Sequence, residues 1–155
     1  MLENVIERLE SMNKIAIVYW SGTGNTKEMA KLIAEGAVSE GSQVTLYEPM
    51  EFGAELIKEY DVVAFGCPAM GAEELEEIEF APLFEHCKDS LVDKKIALFG
   101  SYGWGDGEWM QTWEEACDTI GAHLVVDSLI INGEPDDEGK EACLEMGRRI
   151  AYNTI

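Results

Sequence analysis

Five short apolar runs alternate with segments of helical period, and this alternation restricts the possible folds more than any other feature of the chain. The runs are Ile15–Trp20, Gln43–Glu48, Asp61–Gly66, Lys95–Ser101 and His123–Ile131, each of a length and composition that predicts a strand. The first, third and fourth are nearly continuous in apolar residues, as expected of central strands covered on both faces by helices. Between the runs, Met29, Ala30, Leu32, Ile33 and Ala37 recur at helical spacing, as do Ala116, Cys117 and Ile120 after Trp109 and Trp113. A last helix is predicted from Asp136 to Ala151, and shorter ones over Phe52–Lys58 and Phe80–Cys87. A βα unit repeated five times predicts a three-layer α/β domain, a doubly wound parallel sheet of five strands. Ligands of such sheets sit beyond the carboxyl ends of the strands, where strand order reverses.

A chain of 155 residues suits one domain, which we place at residues 14–155 after an N-terminal extension of residues 1–13. In the extension, Leu2, Val5, Ile6 and Leu9 share one face of a possible helix, read as a flanking element rather than a partner-docking one. The formal charge of -20 argues against nucleic acid or an anionic membrane as partner, and for proteins with basic surfaces. Cys67, Cys87, Cys117 and Cys143 stand far apart without a CxxC pair, which argues against a zinc or iron–sulfur site. Buried, reduced thiols, no signal-peptide apolar region and no run long enough to span a bilayer together predict a cytoplasmic protein, and a monomer is expected.

The stretch Ser21–Thr26, SGTGNT, follows the first strand and opens a helix. Gly22 and Gly24 allow tight curvature, and with Ser21, Thr23, Asn25 and Thr26 the loop offers neutral donors at the positive end of a helix dipole. That is a phosphate cradle without a cation. A nucleoside-triphosphate loop needs GxxxxGK[ST], which is absent. A dinucleotide fingerprint needs a third glycine where Lys27 stands, and Glu48 gives it weak support. A receiver domain would place clustered acids where Tyr19 and Trp20 are. A glycine turn with no ligand would leave several donors unused. A phosphomonoester such as that of FMN fits best.

Two further loops leave adjacent central strands, Gly66–Glu77 (GCPAMGAEELEE) and Ser101–Met110 (SYGWGDGEWM). Met70 and Trp104 on facing loops could grip a flat ring. Together, YWSGTGNT, GCPAMG.EELE and LFGSYGWG.GEWM make the chain, from about residue 13 onward, resemble the flavodoxins, in particular the short-chain type of anaerobic bacteria. The resemblance implies a strand order of 2-1-3-4-5.

It further implies that Ser21, Thr23, Gly24, Asn25 and Thr26 hold the FMN phosphate, with Ser101 near the ribityl chain. Met70 would lie on the inner face of the flavin and Trp104 on the outer, Gly71 opposite N5, Glu73 accepting from N3, and Tyr102 and Gly103 along the pyrimidine side. Pro68, Ala69, Ala72 and Gly105 complete the two ring-binding loops. Some relatives have Ser where this chain has Pro68, so one phosphate hydroxyl is absent here. Ala72 is expected to meet positive φ when the turn flips. The implied function is a low-potential one-electron carrier, not an enzyme, cycling FMN between semiquinone and hydroquinone for reductases and low-potential oxidoreductases. An FMN-dependent NAD(P)H oxidoreductase of the same fold is the alternative. Glu73, Glu74, Glu76, Glu77 and Glu79, with Asp106 and Glu108, are expected to rim the site, keep its potential low and steer basic partners.

Overall fold

All five apolar runs form parallel strands in a computed structural model that describes residues 13–154. Residues 1–12, most of the expected extension, lie outside the described residues. The strands are β1 (Lys14–Tyr19), β2 (Gln43–Tyr47), β3 (Val62–Gly66), β4 (Lys95–Tyr102), β5 (His123–Leu124) and β6 (Leu129–Asn132). Their order is β2-β1-β3-β4, with β5 and β6 both on the outer edge of β4. The expected order 2-1-3-4-5 is present, with β1, β3 and β4 central.

The fifth run differs from the single strand expected of it. Along β4 the register advances from Ile96, opposite Leu124, to Phe99, opposite Leu129, so the outer strand carries two extra residues between its halves. The surplus bulges out at 125–128, which a sheet edge tolerates because no further strand must pair there.

The helices are α1 (Asn25–Ser39), α2 (Phe80–Cys87), α3 (Glu108–Ile120) and α4 (Asp137–Tyr152). α1 and α4 cover one face over Ile15, Ile17, Met29, Ile33, Phe99 and Ile150, and α2 and α3 cover the other over Val18, Phe65, Phe80, Leu98 and Trp113. The helix expected over Phe52–Lys58 is replaced by two 3-10 turns, Pro49–Glu51 and Ala54–Glu59. Phe52 and Gly53 between them are extended, which drops the Phe52 ring into the core 5.1 Å from Tyr47 and 6.4 Å from Phe65. Burial of that ring outweighs the weak helical preference of a segment holding glycine.

All four cysteines are free and buried. Loss of water pushes the thiols of Cys67, Cys117 and Cys143 up to about 12 and that of Cys87 to about 11, which leaves them unreactive at neutral pH. No group of acids, cysteines and histidines able to hold a metal occurs among the described residues.

α1 and α4 approach so closely that each uses glycine at the crossing. A Cβ on Gly147 would strike the Ile33 carbonyl, and one on Gly36 the Leu144 carbonyl. Alanine at 147 gains about 1 kcal/mol in helix propensity, whereas overpacking against rigid backbone costs about 1–3 kcal/mol or more. α2 begins differently, on a carboxylate from the preceding loop. Glu76, 5% exposed, accepts from the N–H groups of Ile78 (2.7 Å), Glu79 (2.9 Å) and Phe80 (2.9 Å). Desolvation works to raise its pKa, but the three backbone donors outweigh that and hold it below the usual carboxylate value.

Two measurements check these contacts. Gly147→Ala is expected to lower the urea midpoint despite its helix propensity; an unchanged or higher midpoint would contradict the close crossing. The Glu76 contribution is complete above the unfolded carboxylate pKa of about 4.3 and fades as pH falls through the lower folded value. Wild-type stability is thus expected to drop more steeply with acid than that of Glu76→Gln, and equal slopes would contradict the cap.

Candidate functional site

The parallel register brings the ends of the three central strands level, Tyr19 beside Gly66 and Gly66 beside Phe99. The loops that follow are stitched together at once: Trp20 N donates to Gly66 O (3.0 Å), Cys67 N to Phe99 O (3.1 Å) and Ala69 N to Ser101 O (3.0 Å). The three segments singled out in the sequence therefore share one edge of the sheet.

In the first loop, Gly24 stands before α1 at φ 102°, a left-handed conformation that a side chain would strain. Ser21 Oγ accepts from Gly24 N (3.1 Å) and Lys27 N (3.2 Å), which leaves its own proton free to donate outward. Among the described residues, the N–H groups of Gly22, Thr23, Asn25 and Thr26 find no partner. An open row of donors at a helix N-terminus suits an anion. The Thr26 side chain lies deeper than the sequence suggested: it is fully buried, with Oγ1 2.9 Å from Ser101 Oγ and accepting from Ser101 N at 3.3 Å. That hydroxyl pair ties the first loop to the end of β4, and it is shared between two residues expected at different parts of one ligand.

The second loop folds back at its tip, where Met70 and Glu74 exchange N–H···O bonds of 2.8 and 2.9 Å around Gly71, Ala72 and Glu73. Positive φ falls on Gly71 (50°) and Glu73 (61°) and not on Ala72, whose expectation concerns the flipped turn. Left-handed geometry at a residue with a Cβ costs about 1 kcal/mol, and Glu73 offsets it with a hydrogen bond. Its Oε2 accepts from Trp109 N at 2.8 Å, at the start of α3. Its Oε1 is buried without a partner, against Gly105, where there is no room for a side chain. Pro68 and Ala69 are half-buried beneath this turn, while Met70 is 37% exposed.

In the third loop Gly103 and Gly105 are exposed and Trp104 is 69% exposed, a large ring presented to solvent. Tyr102 is half-buried, its ring 5.6 Å from that of Trp109. The Trp109 indole donates to Cys67 O (3.2 Å), so one buried residue binds the second loop through both its backbone and its ring. Helical spacing marks Trp109 as a core residue and the third motif includes it, but neither signal distinguishes this second role. Trp20 also went unassigned: its indole donates to Glu79 Oε2 (3.0 Å), and it lines a hollow of about 330 Å³ with Met70, Gly71, Leu75 and Ile78. A larger cavity, about 730 Å³, lies at the opposite edge among Asn13, Glu40, Arg148 and Tyr152, away from these loops.

The acidic run does not act as a uniform rim. Glu74, Glu77, Glu79, Asp106 and Glu108 are exposed, as expected, but Glu73 is half-buried and Glu76 is turned inward. Periodic spacing cannot show which acids of such a run are taken up by backbone donors.

The family model for flavodoxin matches residues 17–147. The flavodoxin of Clostridium beijerinckii is 46% identical over 87% of this chain and 97% of its own length. That of Megasphaera elsdenii is 41% identical over 88% and 98%. The solution structure of the two-electron reduced Megasphaera elsdenii flavodoxin superposes with a TM-score of 0.81 at 40% identity, covering 89% of this chain and 98% of that one. With its loops, its strand order and these relatives in agreement, the chain belongs to the flavodoxin family.

Proposed function

We propose that this flavodoxin, an FMN-binding electron carrier by family, passes single electrons at low potential and holds its cofactor across the three loops at the sheet edge. FMN supplies reversible redox chemistry that no side chain of the protein has. The observation that carries the site assignment is the pair of unmet groups at one edge: free N–H donors at 22, 23, 25 and 26 and the buried, unpartnered Oε1 of Glu73.

These groups fit the two polar ends of that cofactor. Ser21, Thr23, Gly24, Asn25 and Thr26 offer hydroxyls, an amide and backbone donors to a phosphate, with the positive end of α1 behind them. Glu73 Oε1 is an acceptor for a ring N–H, and the hydrogen bond from Trp109 N fixes its direction. Met70 and Trp104 offer polarisable and aromatic surfaces for a flat ring, with Gly71 and Ala72 at the turn and Tyr102, Gly103 and Gly105 on the third loop. Ser101, tied to Thr26, fixes the distance between the phosphate loop and the ring-binding loops.

Charge explains the low potential. A carboxylate about 12 Å away in bulk water adds only about 0.3 kcal/mol against a new negative charge, so the nearest acids dominate. Glu73 and Glu74 in the turn and Asp106 beside Gly105 are those nearest, and no Lys or Arg stands within Ser21–Thr26 to oppose them. The exposed acids Glu74, Glu77, Glu79 and Glu108 favour redox partners with basic docking surfaces, and four buried thiols suit the reducing cytoplasm.

An anaerobic reductive titration followed by absorbance tests this reading. Two separate one-electron steps are expected, the second below the potential of free FMN. A single two-electron step at the free-flavin potential would contradict it.

A further inference from the structure

Glu76 is a buried carboxylate that no part of the proposed chemistry uses. It lies within an acidic run of a chain with charge -20, where another anion is electrostatically unwelcome, and yet it is 5% exposed. It accepts three backbone N–H groups at the start of α2, and its own carbonyl accepts from Ala81 N at 2.8 Å. Starting a helix does not require this arrangement. A short side chain at the residue immediately before α2, position 79, would do so locally. The Glu79 side chain instead reaches the Trp20 indole, and the capping is done from three residues further back.

The consequence of capping from position 76 is that the loop, and not only the helix, becomes fixed. Glu76 N donates to Cys67 Sγ at 3.4 Å, so the residue closes the loop at its base, against the end of β3. Two residues before it lies Glu74, which closes the tip with Met70, and Glu73 beside that is held by Trp109 N. On the other strand of the loop, Ala69 N is held by Ser101 O. The turn Met70–Glu74 is thus held on its incoming side by β4 and on its outgoing side by Glu76.

We infer that Glu76 is a positioning residue: bound to α2 and Cys67, it sets where the Met70–Glu74 turn stands, and through the turn the affinity and potential of the cofactor. This rests on the reading that the turn faces FMN. The carboxylate works as a fixed point and makes no contact with the ligand itself. Its neighbour Glu77 is exposed and carries the same charge without accepting a hydrogen bond among the described residues, so it separates positioning from charge.

The test compares FMN-loaded wild type, Glu76→Gln and Glu77→Gln. Both substitutions remove one negative charge from the same stretch. Relative to Glu77→Gln, Glu76→Gln is expected to bind both FMN and riboflavin about tenfold more weakly, because the disturbed contact is to the ring. The FMN-to-riboflavin ratio is expected to stay at the wild-type value. The first-electron potential of Glu76→Gln is expected to differ from that of Glu77→Gln by about 59 mV, a tenfold change in a one-electron equilibrium. A purely structural cap would lower the melting temperature and leave the affinity and potential of the folded protein equal in the two variants, and that result would overturn the inference. If Glu76→Gln does not fold, Glu76→Asp keeps the charge on a shorter stem. Wild-type affinity and potential in folded Glu76→Asp would overturn the inference equally. Failure of the wild type to take up FMN would instead remove the site reading on which it rests.

Discussion

Helix N-termini, each with backbone N–H groups that lack partners within the helix, organise this molecule. In a parallel sheet every connecting helix starts at the carboxyl edge of the strands, so α1, α2 and α3 bring their unmet donors to the same side. The chain answers two of the three with its own carboxylates, Glu76 at α2 and Glu73 at α3. Asp136 does the same for α4, accepting from Gly139 N at 2.8 Å. At α1 there is only the Ser21 hydroxyl, and the donors of Asn25 and Thr26 stay open. On the proposed reading, the phosphate of the cofactor completes that set as the one anion that comes from outside.

The same bookkeeping explains how so acidic a chain keeps a stable site. Carboxylates that meet backbone donors at a helix start are stabilised by charge-assisted hydrogen bonds and by the helix dipole. The acids at 73 and 76 therefore hold the loops together, while those at 74, 77 and 79 stay in solvent and shape the field a partner meets. Charge inside the loop and charge on its exposed face come from one short stretch, divided by which side chains turn inward. Hydroxyls do the equivalent for the first loop, where the buried Thr26–Ser101 pair joins α1 to β4 without adding charge.

The fold was legible in the sequence because its signals are local and repeated. Nearly continuous apolar runs marked β1, β3 and β4, and helical spacing marked α1, α3 and α4. Where tertiary contacts override local pattern, the reading failed: Phe52 enters the core and breaks a helix into two turns, and two surplus residues divide the fifth strand. In the site, the loop glycines and the exposed Trp104 were visible from residue type. The partnering of Thr26 with Ser101 and the double role of Trp109 depend on residues 36 to 75 positions apart, and the inward turn of Glu76 on backbone donors two to four positions further on; no motif encodes them.

That the open N-terminus of α1 is reserved for the cofactor phosphate follows from the proposed function. It is tested most directly by titrating apoprotein with FMN and with riboflavin, which differ only in that group, and following the quenching of flavin fluorescence. Two charge-assisted hydrogen bonds at about 1.5 kcal/mol each correspond to a preference for FMN of about a hundredfold. With no cation in the loop, most of that preference should persist in high salt. Equal affinities for the two flavins, or a preference abolished by salt, would contradict the account.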